Sequence, residues 1–311
     1  MKKRNICRGV SVVIALTLLS CSQSTQSQKL GSAQKRSEVL SGLSDEFRSY
    51  WYDNKAEITT YNLEQARYGE VRKGHATLIF VTEDFQPKSQ VKADDPDEES
   101  VPVLKLNATK KFATGIYPYS IMQSTFFPVA NSGHALKVSA SIQEWCGQTY
   151  IQMNNRSQWD VTGFSYFESE GDQSYSVPKV FTENELFTQL RIDPKSLPTG
   201  NFECIPSLDF CRLKHIEVKP YPAEGSLLKE GVGYTYVMDI PDILRKLVIS
   251  FHDTFPYEIE AWREIYVSGF GNSAKQITTV ARKKKQIRSP YWTQNSTQYS
   301  PLRDSIGLPP Y

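Results

Sequence analysis

Leu136-Lys-Val-Ser-Ala-Ser-Ile142 decides the fold class. Leu136, Val138, Ala140 and Ile142 alternate with polar residues, the period of a strand that turns one face to a core. The same period returns on both sides of it. Trp159 to Phe167 alternates after an Asn154-Asn155 turn, and Phe112 to Pro128 is an aromatic stretch interrupted by Pro118. Earlier, Ile58, Tyr61 and Leu63 begin one extended stretch. Ala76-Thr-Leu-Ile-Phe-Val-Thr82 is another, entered through a hairpin turn placed at Lys73-Gly74. Later come Leu247 to Phe251, Tyr257 to Val267 and Ile277 to Arg282, the last two separated by the turn cluster Gly269-Phe-Gly-Asn272.

Helical signals are few. Val39, Leu40, Leu43, Phe47 and Tyr50-Trp51 form an apolar side of one short helix. Thr182 to Ile192 opens on a Thr182-x-x-Glu185 capping box and stops before Pro194, and Pro241 to Lys246 reads as a weaker helix. With 12% aromatic residues, the pattern predicts a mainly β protein, a curved antiparallel sheet or half-open barrel with one or two short helices. Phe164 and Tyr166 fall on one strand face and Phe167 on the other, so part of the second face is expected to be covered. Tyr166 and Phe167 are the candidate ligand-facing residues.

The N-terminus carries an address. Lys2, Lys3, Arg4 and Arg8 precede the apolar run Val10 to Leu19, which ends in Leu18-Leu-Ser-Cys21. That is a lipoprotein signal of residues 1–20, whose removal leaves the Cys21 thiol as an acylated, palmitate-type membrane anchor. Residues 21–38, rich in Ser, Gln and Lys, read as a flexible tether, and residues 39–311 as a single β-rich domain. Thirty-six basic against 34 acidic residues give a net charge of +2, which argues against a nucleic-acid partner. The partners expected are the membrane, through the anchor, and a lipid or an envelope protein.

Four stretches carry a resemblance: Tyr61-Asn-Leu-Glu-Gln-Ala-Arg-Tyr-Gly-Glu70, Ala76-Thr-Leu-Ile-Phe-Val-Thr-Glu-Asp-Phe85, Gly115-Ile-Tyr-Pro-Tyr-Ser-Ile-Met-Gln-Ser-Thr125 and Gln143-Glu-Trp-Cys-Gly147. The chain resembles uncharacterised envelope lipoproteins of Bacteroidota-type bacteria over most of its mature length. Some of these bear the label "septum formation inhibitor Maf". True Maf proteins are cytoplasmic pyrophosphatases with a Ser-x-Ser-Pro-Arg-Arg motif near the start, and the nearest fragment here is Arg288-Ser-Pro290. The resemblance implies no activity. Since Ser22-Gln-Ser-Thr-Gln26 has no acidic cluster after the anchor, the resemblance implies a periplasm-facing position, with the outer membrane favoured over the inner.

Once Cys7 leaves with the signal and Cys21 is acylated, Cys146, Cys204 and Cys211 remain. Cys204 and Cys211 are the nearest pair for a disulfide; on one strand they point to opposite faces, and a bridge needs a turn such as Pro206-Ser207. Cys146 reads as a buried small hydrophobe, or as half of a Cys–His pair with His134 if a bend joins them. Ser176-Val-Pro-Lys179 and Ser226-Leu-Leu-Lys229 match a serine-enzyme pattern that works only on a helix. Asp94 to Glu99 lacks the spacing of a calcium loop, and no Cys/His spacing indicates zinc, so neither metal nor other cofactor is assigned. The run Arg282-Lys-Lys-Lys-Gln-Ile-Arg288 reads as a solvated strand end or a contact for anionic headgroups. Asp304-Ser-Ile306 makes Ser305 a candidate O-glycosylation site. Two functions follow from the sequence: a non-enzymatic binding module for an apolar ligand or envelope partner, or a periplasmic hydrolase of peptidoglycan or glycan.

Overall fold

The computed structural model describes residues 38–97, 99–130, 133–269 and 271–309. The signal, Cys21 and the tether up to residue 37 lie outside the described residues. After helix α1 (Asp45–Trp51), whose Phe47 and Trp51 are buried, the chain enters β1 (Ala56–Arg67) and turns into β2 (Glu70–Gln86). Short β3 (Val91–Lys92) pairs only with β2, and β4 (Val101–Thr114) and β5 (Tyr117–Pro128) make the next hairpin. Then follow β6 (Lys137–Glu144), β7 (Gly147–Asn155), β8 (Trp159–Ser165) and β9 (Gln173–Val177).

Two-residue β10 (Phe181–Thr182) leads into helix α2 (Leu186–Ile192), and β11 (Gly200–Ile205) into α3 (Leu208–Lys214). The remaining strands are β12 (Tyr221–Glu230), β13 (Gly233–Ile240), β14 (Arg245–His252), β15 (Ile259–Ser268) and β16 (Lys275–Ser289), before a C-terminal helix α4 (Leu302–Ser305).

All sixteen strands belong to one sheet. Its order runs from β10 through β11 to β16, then β1, β2, β4 to β9, and it does not close. Only β10 with β11 is parallel; the other pairings are antiparallel. The expected mainly β, curved antiparallel sheet is the fold. Alternation sorts β1 cleanly: Tyr61 and Leu63 join the main core with Trp262 and Phe80, while Ala56 and Ile58 pack on Ile306 on the other face. There the C-terminal segment covers part of the second face, fixed by Thr60 Oγ1 donating to the Ile306 carbonyl (2.6 Å) and Lys284 Nζ to that of Gly307 (2.6 Å).

Two local expectations change and one holds. The β1–β2 turn is Tyr68-Gly69, both at positive φ, and Gly74 sits inside β2. Glycine is required there because a Cβ would lie 2.2 Å from the Lys111 carbonyl oxygen on β4. Pro241 to Lys246 is a single 3-10 turn ended by left-handed Leu244, after which Arg245 begins β14. Thr182 to Ile192 does form the predicted helical segment, its first turn 3-10, with the Glu185 carboxylate accepting from the Thr182 N–H (3.2 Å).

Helices α2 and α3 lie on the inner side of the sheet, opposite α4, and are held there by buried ion pairs. Arg191 of α2 donates to both oxygens of Glu57 on β1, and its Nε donates to the Pro256 carbonyl (2.6 Å). Glu183 is gripped by both Nε and Nη2 of Arg245. Lys110 Nζ bridges Asp209 of α3 (3.0 Å) and Glu264 of β15 (2.8 Å). Each of these charges is nearly sealed from water, where a paired charge is tolerable and an unpaired one is not.

Candidate binding cleft

A cleft of about 650 Å³ opens between the strands β7 to β9 and the segment from α3 to Lys219. β9 is the last strand at one end of the sheet, and the segment from α3 to Lys219 links β11 to β12, the second and third strands from the other, so the cleft lies at the unclosed seam. Both ends contribute to one apolar cluster beneath it: Trp159, Val161 and Val177 from one side, Ile205, Leu208, Cys211 and Val218 from the other. Trp159 Nε1 also donates to the Val180 carbonyl (3.0 Å), tying the chain just after β9 to β8.

The lining is apolar at depth and charged at the mouth. Ile151, Tyr175, Val177, Leu208, Cys211 and Val218 form the apolar part. Burial pushes up both the Tyr175 phenol and the Cys211 thiol, so each is neutral at physiological pH. At the mouth the Glu170 carboxylate is fully engaged. It takes Arg212 Nη1 (3.0 Å), His215 Nδ1 (3.0 Å) and the Ser165 hydroxyl (2.7 Å). Arg212 also lies 4.5 Å over the Phe167 ring. A cleft of this size and polarity suits an amphipathic small molecule, with its apolar body inward and its polar part at the Glu170–Arg212–His215 cluster.

The sequence candidates fall as follows. Tyr166 is 78% exposed and Phe167 packs beneath Arg212; neither lines the cleft. Cys204 and Cys211 are both buried and free, which corrects the proposed bridge. Pro206-Ser207 supplies a turn, but the turn starts α3 and carries Cys211 into the seam cluster while Cys204 stays in the main core. Cys146 is exposed at the β6–β7 hairpin tip, a correction to its reading as a buried hydrophobe. It forms no pair with His134, whose Nδ1 contacts Glu185 (3.2 Å), and Glu144 raises the Cys146 pKa, away from a nucleophilic thiolate.

Neither Ser-x-x-Lys match is helical. Ser176 on β9 donates to Asp160 (2.9 Å), and Ser226 and Lys229 sit on opposite faces of β12, where Lys229 pairs with Asp253 (3.1 Å). In the acidic loop, Asp97 Oδ1 accepts from the Glu99 and Ser100 backbone N–H groups and the Ser100 hydroxyl, each at 3.0 Å. Part of the basic run is paired within the fold, where Arg288 binds Asp53 (2.6 Å) and Lys283 binds Glu258 (2.5 Å) and Glu260 (2.8 Å), while Arg282, Lys284 and Lys285 are exposed. His252, Glu258 and Glu260 have ligand atoms within 4.8 Å of one another, with the Lys283 ammonium set against both carboxylates. Ser305 is exposed at the end of α4, its hydroxyl donating to the Leu302 carbonyl (2.7 Å).

Sequence reading passed over the residues that build the cleft. One signal was there: Ser207-Leu-Asp-Phe-Cys-Arg-Leu-Lys214 has a capping residue type, an early acid, late bases, and Leu208 and Cys211 at helical spacing. Nothing in the spacing joins Glu170 to Arg212, which only the fold brings together.

No family model and no curated protein matches the chain. Among solved structures, the chain is similar to a beta-barrel-like protein of a domain of unknown function, DUF1849, from Brucella abortus. The identity is 5%, the TM-score 0.39, and the match covers 75% of this chain and 98% of that one.

Proposed function

We propose that this protein is a lipid-anchored lipoprotein of the bacterial envelope, held at the outer membrane facing the periplasm, whose half-open sheet is a non-enzymatic binding module for a lipid-like ligand. The cleft carries the reading. It offers a volume of about 650 Å³ with an apolar part, charged groups at Glu170–Arg212–His215 and Glu217–Lys219, and a position at the seam of the sheet. The Leu18-Leu-Ser-Cys21 signal and the resemblance to envelope lipoproteins support the location. An acyl chain gains about 0.8 kcal/mol per methylene removed from water, so a modest apolar length is enough for retention through purification.

Native mass spectrometry of residues 22–311, exported without the anchor in a related host, tests this. All described elements lie within that chain. A reproducible adduct of lipid mass is expected. Ile151→Asp, which puts a carboxylate into the apolar part of the cleft, should cut adduct occupancy by about tenfold or more. A clean apo mass under gentle conditions refutes the carrier reading.

A further inference from the structure

The sheet register places four hairpin tips at one end of the molecule: Tyr68-Gly69, Gly115-Ile116, Trp145-Cys146 and the segment after Ser165. Large apolar side chains stand out there. Ile116 is 85% exposed, Trp145 69% and Tyr166 78%. They are joined by a continuous aromatic strip. The Tyr68 and Tyr119 hydroxyls are 2.9 Å apart, and ring centroids are separated by 5.9 Å from Tyr119 to Tyr117 and by 6.4 Å from Tyr117 to Trp145. Tyr166 packs over Gly147, just past Trp145, and contacts Phe167, which leads to Arg212 at the cleft mouth. Tyr119 and Tyr117 root the strip in the main core, whereas Ile116, Trp145 and Tyr166 belong to no buried cluster, and three large apolar side chains exposed together at one end call for a partner.

We propose that this strip docks onto the surface of a phospholipid bilayer and brings the cleft mouth to it. Tryptophan and tyrosine, with an apolar ring and one polar atom each, are the side chains that settle at headgroup depth, and Ile116 at a hairpin apex can enter the acyl boundary. Charges near the strip are mixed: Arg67 stacks 4.2 Å over the Tyr68 ring, while Glu168 is exposed. A zwitterionic surface therefore suffices. The described chain begins at the opposite end, where Phe47 and Tyr50 of α1 pack on Phe255. The 17 residue-to-residue steps from Cys21 to Glu38 can span at most about 56–61 Å, more than the length of β1, about 40 Å, so an anchored molecule can still turn this end to its membrane. What the docking accomplishes rests on the lipid reading of the cleft; the docking itself does not.

The test is co-sedimentation of residues 22–311, lacking the anchor, with phosphatidylcholine vesicles. The unaltered chain should pellet with them and keep doing so at high salt. Ile116→Asp with Trp145→Ser should weaken binding by about tenfold or more, whereas Val232→Asp, at an exposed tip of the other end, should leave it unchanged. Brominated acyl chains should quench fluorescence in the unaltered chain more than in Trp145→Ser. No pelleting, pelleting unaffected by the double variant, or equal loss with Val232→Asp overturns the proposal. Retained pelleting with no adduct in native mass spectrometry would sink the cleft reading alone, and an adduct without pelleting the docking alone.

Discussion

The buried charge network makes an asymmetric prediction about stability. Glu183, Asp209 and Glu264 face Lys110 and Arg245, one more carboxylate than cation, all in the sheet's interior. Arg245→Met leaves three carboxylates against a single ammonium, strips Glu183 of both its guanidinium contacts, and removes a stack 3.9 Å over Phe210. Breaking a buried pair from one side costs about 3–5 kcal/mol. In a domain of this size each kcal/mol lowers Tm by about 2–4 °C, so the melt should fall by about 6–20 °C. Glu264→Gln instead leaves two carboxylates and two cations. It loses charge from the contacts with Lys110 and Arg245 but keeps an amide oxygen for one of them or for Trp262, and should cost about 1–2 kcal/mol.

The pH dependence separates the two further. Burial alone would raise the Glu264 carboxyl, but Lys110 and Arg245 outweigh it and hold the group well below the usual carboxylate range. A carboxyl depressed on folding stabilises fully above its unfolded pKa, and that contribution fades as pH drops through the carboxylate range toward the folded value. The unaltered protein should therefore weaken below about pH 4.5. In Arg245→Met the Glu264 carboxyl loses one of the two cations that hold it down and takes up a proton at higher pH than in the parent, so the variant's deficit should shrink between pH 7 and pH 5. Urea unfolding followed by circular dichroism at both pH values measures this. Equal cost for the two substitutions, or an Arg245→Met chain within about 1 kcal/mol of the parent, would refute the charge-excess argument.

Two other outcomes are expected. Gly74→Ala should destabilise by about 1–3 kcal/mol in the same unfolding assay, because its Cβ meets the Lys111 carbonyl and Phe112 Cβ across the β2–β4 pair; a neutral result would mean that the two strands lie further apart. In residues 22–311, maleimide should label Cys146 alone while folded and Cys146, Cys204 and Cys211 after unfolding. A mass two hydrogens short, with Cys204 and Cys211 unlabelled, would restore the disulfide.

Alternation made the strands legible, since Val138, Ala140 and Ile142 face inward as their spacing requires. Turns were less so: Gly74 looks like a hairpin residue because close backbone approach and tight turning both demand a missing Cβ. The interior charges were not legible. Lys110, Glu57 and Glu264 each occupy an inward position of a strand, and from sequence a charge there reads as a solvent-facing residue. Their partners come from other elements: the helices inserted at residues 183–214 bring Arg191 to Glu57 and Asp209 to Lys110, while Glu264 meets Lys110 and Arg245 on other strands. The cleft was hidden for the same reason, since it is built by α3 crossing to strands β7 to β9.

The cleft and the open seam have a common cause. Closing the sheet would require β9 to pair with the strand at the other end, yet that end is β10, two residues long and parallel to β11. Directly after it the chain leaves the sheet for the 3-10 turn at Glu183–Glu185, whose Glu183 is fixed by Arg245 inside the fold. The α3 segment then occupies the space beside β9 and packs Leu208, Cys211 and Val218 where a strand would lie. Side chains, rather than ladder hydrogen bonds, therefore hold the two edges together. A seam of that kind can part by the width of a guest without breaking any strand pairing, which a closed barrel of the same strands could not do. The polar edge of β9, with Gln173, Ser174 and Ser176 exposed, protects the open strand from pairing with another chain. The same unclosed seam thus provides the cleft and, on the proposed carrier function, the way in for its ligand.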